Sequence, residues 1–159
     1  MFTMRTPIEA ALGMAFSFAL LAGRAPPHSP WSSAPPAFVV VVNDHNPITS
    51  IDREKLSRIF FKRSAKWPNG TLAEPIDLDL KQPSRVAFSQ MVHRKTVSAV
   101  RAFWQQQIFS GRDVPPAEKA SEADVMAYVR DHAGAVGYVS FGVVLPEGVK
   151  ALAVEGIGP

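Results

Sequence analysis

An α/β fold is predicted for this chain, and three observations predict it. Short apolar runs of strand length alternate with segments whose apolar residues recur at helical spacing. The first run, Phe38-Val-Val-Val-Val42, is apolar and β-branched throughout, as in a strand covered on both faces. Turn residues, Asn43-Asp44-His45-Asn46-Pro47 being the first set, mark the change from one segment to the next. Together these imply a central, mostly parallel sheet of about four or five strands flanked by about four helices.

The elements follow in order. Phe38–Val42 reads as a buried parallel strand. Asp52 is placed to cap a helix that carries Leu56, Ile59 and Phe60 on one face, with Ile51 and Leu56 spaced as a hydrophobic staple. Trp67-Pro68-Asn69-Gly70 is turn chemistry, and Pro75-Ile76-Asp77-Leu78-Asp79-Leu80 alternates with period two, so a second strand follows with Asp77 and Asp79 on its polar side. Strand, helix and strand in this sequence imply a right-handed crossover. Pro83 suits a first helical position and opens a helix whose stripe is Ala87, Phe88, Met91 and Val92. A third helix, from about Val97 to Phe109, buries Val100, Phe103, Trp104 and Ile108 and stops at Gly111 in a left-handed conformation. Ser121 and Asp124 form a capping pattern for a fourth helix with Val125, Tyr128 and Val129 inward, ending near Gly134. Gly134–Val139 and Val149–Val154 return as strands. There is no internal repeat and no heptad pattern.

The chain has 159 residues, 47% hydrophobic, with a formal charge of +3, a globular composition with room for one core. It has no cysteine, which excludes a disulfide framework, a thiolate zinc site and a thiol nucleophile. Arg5 followed by the apolar stretch Ala10–Ala22 matches a secretory signal over residues 1–22, too short for a membrane span. An N-terminal anchor or a buried helix is the alternative. Residues 23–37 hold five prolines and three serines and read as a linker, which leaves residues 38–159 as the folded domain. The membrane enters only through this export signal, and the destination it implies is the periplasm.

Charge is unevenly distributed. Between Arg53 and Arg112 stand twelve Lys/Arg against four acids, whereas Asp113 to the end holds three against seven. A basic surface facing strand ends would attract anions, although solvated helix faces account for many such side chains. In α/β folds ligands bind beyond the carboxyl ends of strands, so the loops after Val42 and Leu80 are the candidate positions, with Asn43 in the first. In the second, Lys81-Gln82-Pro83-Ser84-Arg85 presents a helix N-terminus with a hydroxyl and a guanidinium, a pattern suited to an oxyanion and also common as first-turn decoration.

Other chemistry is not supported. His45, His93 and His132 stand apart, form no metal-ligand spacing and read as surface or turn residues. There is no nucleophile elbow, Walker loop or zinc-protease motif, so no enzyme, metal or cofactor is predicted. The aromatic residues fall on the apolar stripes, so a nucleic-acid partner would rest on charge alone and is not expected in an exported chain.

Several residues taken together carry a family resemblance. Ile59-Phe60, Trp67-Pro68-Asn69-Gly70, Pro75-Ile76-Asp77-Leu78, Arg85 with Phe88, Phe103-Trp104, Ile108-Phe109-Ser110-Gly111-Arg112, Pro116 and Gly137-Tyr138-Val139 resemble the phosphate-type, type II periplasmic substrate-binding proteins of ABC importers. The resemblance is to their short, single-domain members and runs from about Val39 to Val139. It implies a single lobe of that fold, a non-enzymatic role in binding phosphate or a similar oxyanion, and an ABC permease or another periplasmic protein as partner. It also implies that Lys81–Arg85 occupies the place of the family's Ser-Gly-Thr segment at a helix start. The sequence departs from the pattern at Gln82, which stands where a serine would cap the helix. It departs again at Lys62, which replaces a glycine after the Ile-Phe pair. A protein-interaction module that keeps the fold without the ligand is the alternative reading.

Overall fold

The computed structural model describes residues 37–157; the predicted export segment and residues 23–36 of the predicted linker lie outside the described residues. The elements are β1 (Phe38–Asn43), β2 (Ser50–Asp52), α1 (Arg53–Phe60), β3 (Glu74–Leu78), α2 (Pro83–Met91), α3 (Val97–Phe109), β4 (Ala117–Lys119), α4 (Glu122–Asp131), β5 (Ala135–Ser140) and β6 (Val149–Glu155). They form one six-stranded sheet in the order β2-β6-β1-β5-β3-β4. The predicted α/β class holds, with two three-residue strands, β2 and β4, too short to leave a periodic signal.

Pairing direction differs from the prediction at its centre. β2 and β6, β3 and β5, and β3 and β4 pair in parallel, but β1 is antiparallel to both neighbours, β5 and β6. The apolar run Phe38–Val42 reports coverage on two faces, and helices supply that coverage whatever the strand direction. Tyr138 stacks on Phe88 of α2, whereas a side-chain carbon at the adjacent Gly137 would meet Val125 of α4 at 2.5 Å. Successive residues of a strand point to opposite faces, so α2 and α4 cover opposite sides of the sheet. The predicted crossover between β1 and β3 is likewise not formed, because β5 lies between them and they run in opposite directions.

Helix limits follow local chemistry. Asp52 accepts from the backbone N–H groups of Glu54 and Lys55, and Thr96 and Ser121 cap α3 and α4 in the same way. The α3 terminus places Gly111 at φ +64°, with Gly111 N donating to Ile108 O and Arg112 N to Gln107 O, both at 3.0 Å. This is a Schellman ending. The α1 terminus repeats it with a lysine: Lys62 has φ +52°, Lys62 N donates to Ile59 O and Arg63 N to Arg58 O, both at 2.9 Å. The turn after α1 thus keeps the left-handed geometry without the glycine.

The main core gathers Val40–Val42, Leu56, Ile59, Phe60, Phe88, Tyr138 and Val139 between sheet and helices. Phe61, Val100 and Trp104 form a smaller cluster where α3 meets the C-cap residue of α1. Three expectations need correction here. Ile108, assigned to the buried stripe of α3, is half exposed, and α4 ends at Asp131 rather than near Gly134. His93, read as a surface or turn residue, is buried against the rings of Phe60, Phe61 and Phe88. Among the described residues, no helix is long and apolar enough to cross a membrane.

Candidate functional site

The amino end of α2 is built as its sequence suggests, up to its side-chain cap. Asp79 organises the approach: its carboxylate accepts from Lys81 N at 2.9 Å, and its carbonyl accepts from Gln82 N at 3.1 Å. Pro83 takes the first helical position, and Gln82 caps the helix with no side-chain bond to it. The Gln82 amide donates instead to Ala120 O at 3.2 Å, while Lys81 is exposed.

Ser84, in the first turn of α2, is buried and donates its hydroxyl to Glu122 Oε1 at 2.7 Å. The same oxygen accepts from Ser140 N at 2.8 Å and from Ser140 Oγ at 2.7 Å. Three donors from two elements therefore converge on one carboxylate oxygen. Glu122 belongs to the first turn of α4, so the charge also lies near a second helix N-terminus, where negative charge is favoured. Chemically this is an oxyanion cradle with a carboxylate of the chain itself as the oxyanion.

Arg85 faces the core. Its side chain is 3% exposed and pairs with Asp77, and Nη1 also donates to Tyr138 Oη at 3.2 Å. Tyr138 donates its hydroxyl to Asp77, and Leu78 N approaches both Asp77 Oδ1 and Tyr138 Oη. Burial pulls the Arg85 pKa down, and the facing Tyr138 and Glu118 act against that pull. Burial likewise holds the Tyr138 phenol protonated, well above its ordinary range. Asp77 is therefore not on the solvated side of a strand, as the alternation of β3 suggested; it is the buried counter-ion of Arg85.

Asn43 is not brought to this place. Because β1 runs opposite to β3, the ends of the two strands lie at opposite ends of the sheet. Asn43 is buried there and donates both amide protons to the last carbonyls of α4, Val129 O at 3.0 Å and Arg130 O at 2.7 Å. Its oxygen accepts from His45 N at 2.9 Å. The structure thus gathers Lys81, Gln82, Ser84 and Arg85, with Arg85 turned inward, and adds Glu122, Ser140, Asp77 and Tyr138. Of these additions, Glu122 had a signal in sequence as the first-turn acid behind the Ser121 cap; the serine at 140 had none. Among the described residues no cluster of His, Asp or Glu could hold a metal ion.

Comparison with solved structures decides the fold. An ABC-type phosphate transport receptor from Vibrio cholerae superposes with a TM-score of 0.58 at 21% identity over 77% of this chain. PstS from Borrelia burgdorferi does so with a TM-score of 0.58 at 16% identity, also over 77%. The fold is that of a type II periplasmic binding-protein domain. The chain spans just under half of either structure, 48% and 49% of their lengths. No family model matches the sequence, and no curated protein matches it. In this fold the cradle of Ser84 and Ser140 lies beyond the carboxyl end of β3, a position at which α/β sheets receive ligands.

Proposed function

We propose that this chain is an exported, non-enzymatic binding-protein domain that receives an oxyanion, phosphate foremost, at the amino end of α2. Ser84 and Ser140 would donate to the anion, Lys81 would supply charge at the rim, and Gln82 would border it. Arg85 would act from behind as a positioning residue, holding β3 and the first turn of α2 together through Asp77 and Tyr138. The observation that carries this reading is the convergence of three hydrogen-bond donors on a single carboxylate oxygen. An incoming oxyanion would replace the Glu122 carboxylate, since the same donors serve either group. The binding-protein fold supports a role beside an ABC-type phosphate transporter, and the apolar segment Ala10–Ala22 supports export to the periplasm.

A second reading rests on the same geometry. The donors of the cradle are satisfied within the chain and Arg85 is buried against Asp77, so the fold is complete without a ligand. On that reading the domain keeps the fold as a periplasmic protein-interaction module.

Thermal unfolding of the full chain with phosphate, sulfate and arsenate at constant ionic strength separates the two. A ligand at 100 times its dissociation constant stabilises by about 2.7 kcal/mol, a shift of several degrees in a domain of this size. The oxyanion reading expects a saturable shift that grows in Glu122→Ala and is lost in Ser84→Ala. No shift in either the wild-type chain or Glu122→Ala selects the interaction module.

A further inference from the structure

We infer that the pocket beside α1 is a separate binding site for a small molecule carrying two or more phosphoryl groups. The pocket encloses about 430 Å³ and is ringed by Lys55, Arg58, Arg63 and Lys66, with Ser64 on its wall and Trp67 in its lining; no acidic residue lines it. Four basic residues thus line one cavity of the size that holds a small ligand.

Local structure brings them together. Lys55 and Arg58 lie three residues apart on α1 and so share a helix face. The left-handed Lys62 then reverses the chain, so that Arg63 N and Ser64 N both donate to Arg58 O, at 2.9 and 3.3 Å. Arg63 is held over the rings of Phe61 and Phe103, its guanidinium carbon 5.9 and 5.6 Å from their centroids. Lys66 is fixed by its bridge to Leu72, and Trp67 by the bond from its indole N–H to Gly134 O at 3.1 Å.

Their charge is largely uncompensated. Arg58 has one exposed partner, Glu54 at 3.6 Å, and among the described residues Lys55, Arg63 and Lys66 have no ion-pair partner. Like charges around one cavity repel one another, and a multiply charged anion relieves that repulsion. Two guanidinium forks suit phosphoryl oxygens, which they bind in bidentate fashion. A compact cavity favours a small ligand over a polymer, and Trp67 is buried, leaving no aromatic platform on which bases could stack. This site holds its ligand by excess positive charge, whereas the α2 cradle is filled by a carboxylate of the chain, and the two are independent.

The test is titration of the full chain with inorganic tripolyphosphate near physiological ionic strength, read by calorimetry and by tryptophan fluorescence. Saturable binding is expected, about tenfold or more weaker in the double variant R58Q/K66Q and unchanged in the control R101Q/R112Q. Absence of saturable binding at millimolar tripolyphosphate would overturn the proposal. So would an equal loss in R101Q/R112Q, which would mean diffuse charge. Binding of an oligonucleotide or anionic vesicles through Arg58 and Lys66, without tripolyphosphate binding, would overturn it in favour of a polymer or membrane surface.

Discussion

Ser84 Oγ lies 2.7 Å from Glu122 Oε1, and this contact, spanning 38 residues of sequence, ties the first turn of α2 to the first turn of α4. The carboxylate oxygen also holds the end of β5 through Ser140. Replacing Glu122 by glutamine keeps an acceptor and removes the charge that strengthens all three bonds. Urea unfolding of Glu122→Gln is expected to show a loss of about 1–3 kcal/mol with an unchanged denaturant slope. Stability equal to wild type would mean that the three bonds have no net worth.

Arg85 and Asp77 are both nearly fully buried and form one ion pair. Removing one partner leaves a charge in the core, so Arg85→Ala and Asp77→Ala should each cost about 3–5 kcal/mol. The double change to Arg85→Met with Asp77→Leu should cost much less than the sum of the single losses, because no charge is then stranded. Additive losses in a double-mutant cycle would show that the pair is not coupled. Arg85→Ala on its own is a poor probe of anion binding, since unfolding would masquerade as lost affinity.

His93 is buried beside Ser57, 2.9 Å from its hydroxyl, and burial together with Arg85, Lys95 and Arg53 pushes its pKa down to about 3. The unfolded imidazole titrates near its ordinary value of 6.5. Between those values the unfolded chain binds a proton that the folded chain refuses, so stability falls as pH falls from about 6.5 towards 3. The slope from this one group approaches about 1.4 kcal/mol per pH unit within that window. His93→Gln should flatten the pH dependence of chemical unfolding by that amount between pH 6 and 5; an unchanged slope would place the proton elsewhere.

Lys62 and Gly111 hold equivalent positions at the ends of α1 and α3, both at positive φ. A side-chain carbon is disfavoured there by roughly 1 kcal/mol. Lys62→Gly should therefore raise the unfolding midpoint, less whatever the exposed 3.6 Å pair with Asp113 contributes, and Gly111→Ala should lower it. A lower midpoint for Lys62→Gly would show that the Asp113 pair outweighs the backbone strain.

How much was legible before the structure depends on distance along the chain. Asp52, Ser121, Pro83 and Gly111 act within four residues of themselves, so they marked the helix ends in sequence, and apolar periodicity marked most of the core. The inward turn of Arg85 was not visible, because Asp77 and Tyr138 lie 8 and 53 residues away from it and meet it only through the register of β3 and β5. Asn43 reads as a strand-end ligand by local chemistry, yet it meets α4 across 86 residues once β1 runs antiparallel to its neighbours. By itself the sequence determined the α/β class, the caps of α1 and α4, the basic segment from Arg53 to Arg112 and the resemblance that the fold comparison supports. Only the tertiary structure decided the direction of β1, the partner of Arg85 and the carboxylate in the α2 cradle. Hydrophobic patterning and capping depend on neighbours three or four residues apart, whereas strand direction and buried polar pairing depend on how distant segments share one sheet.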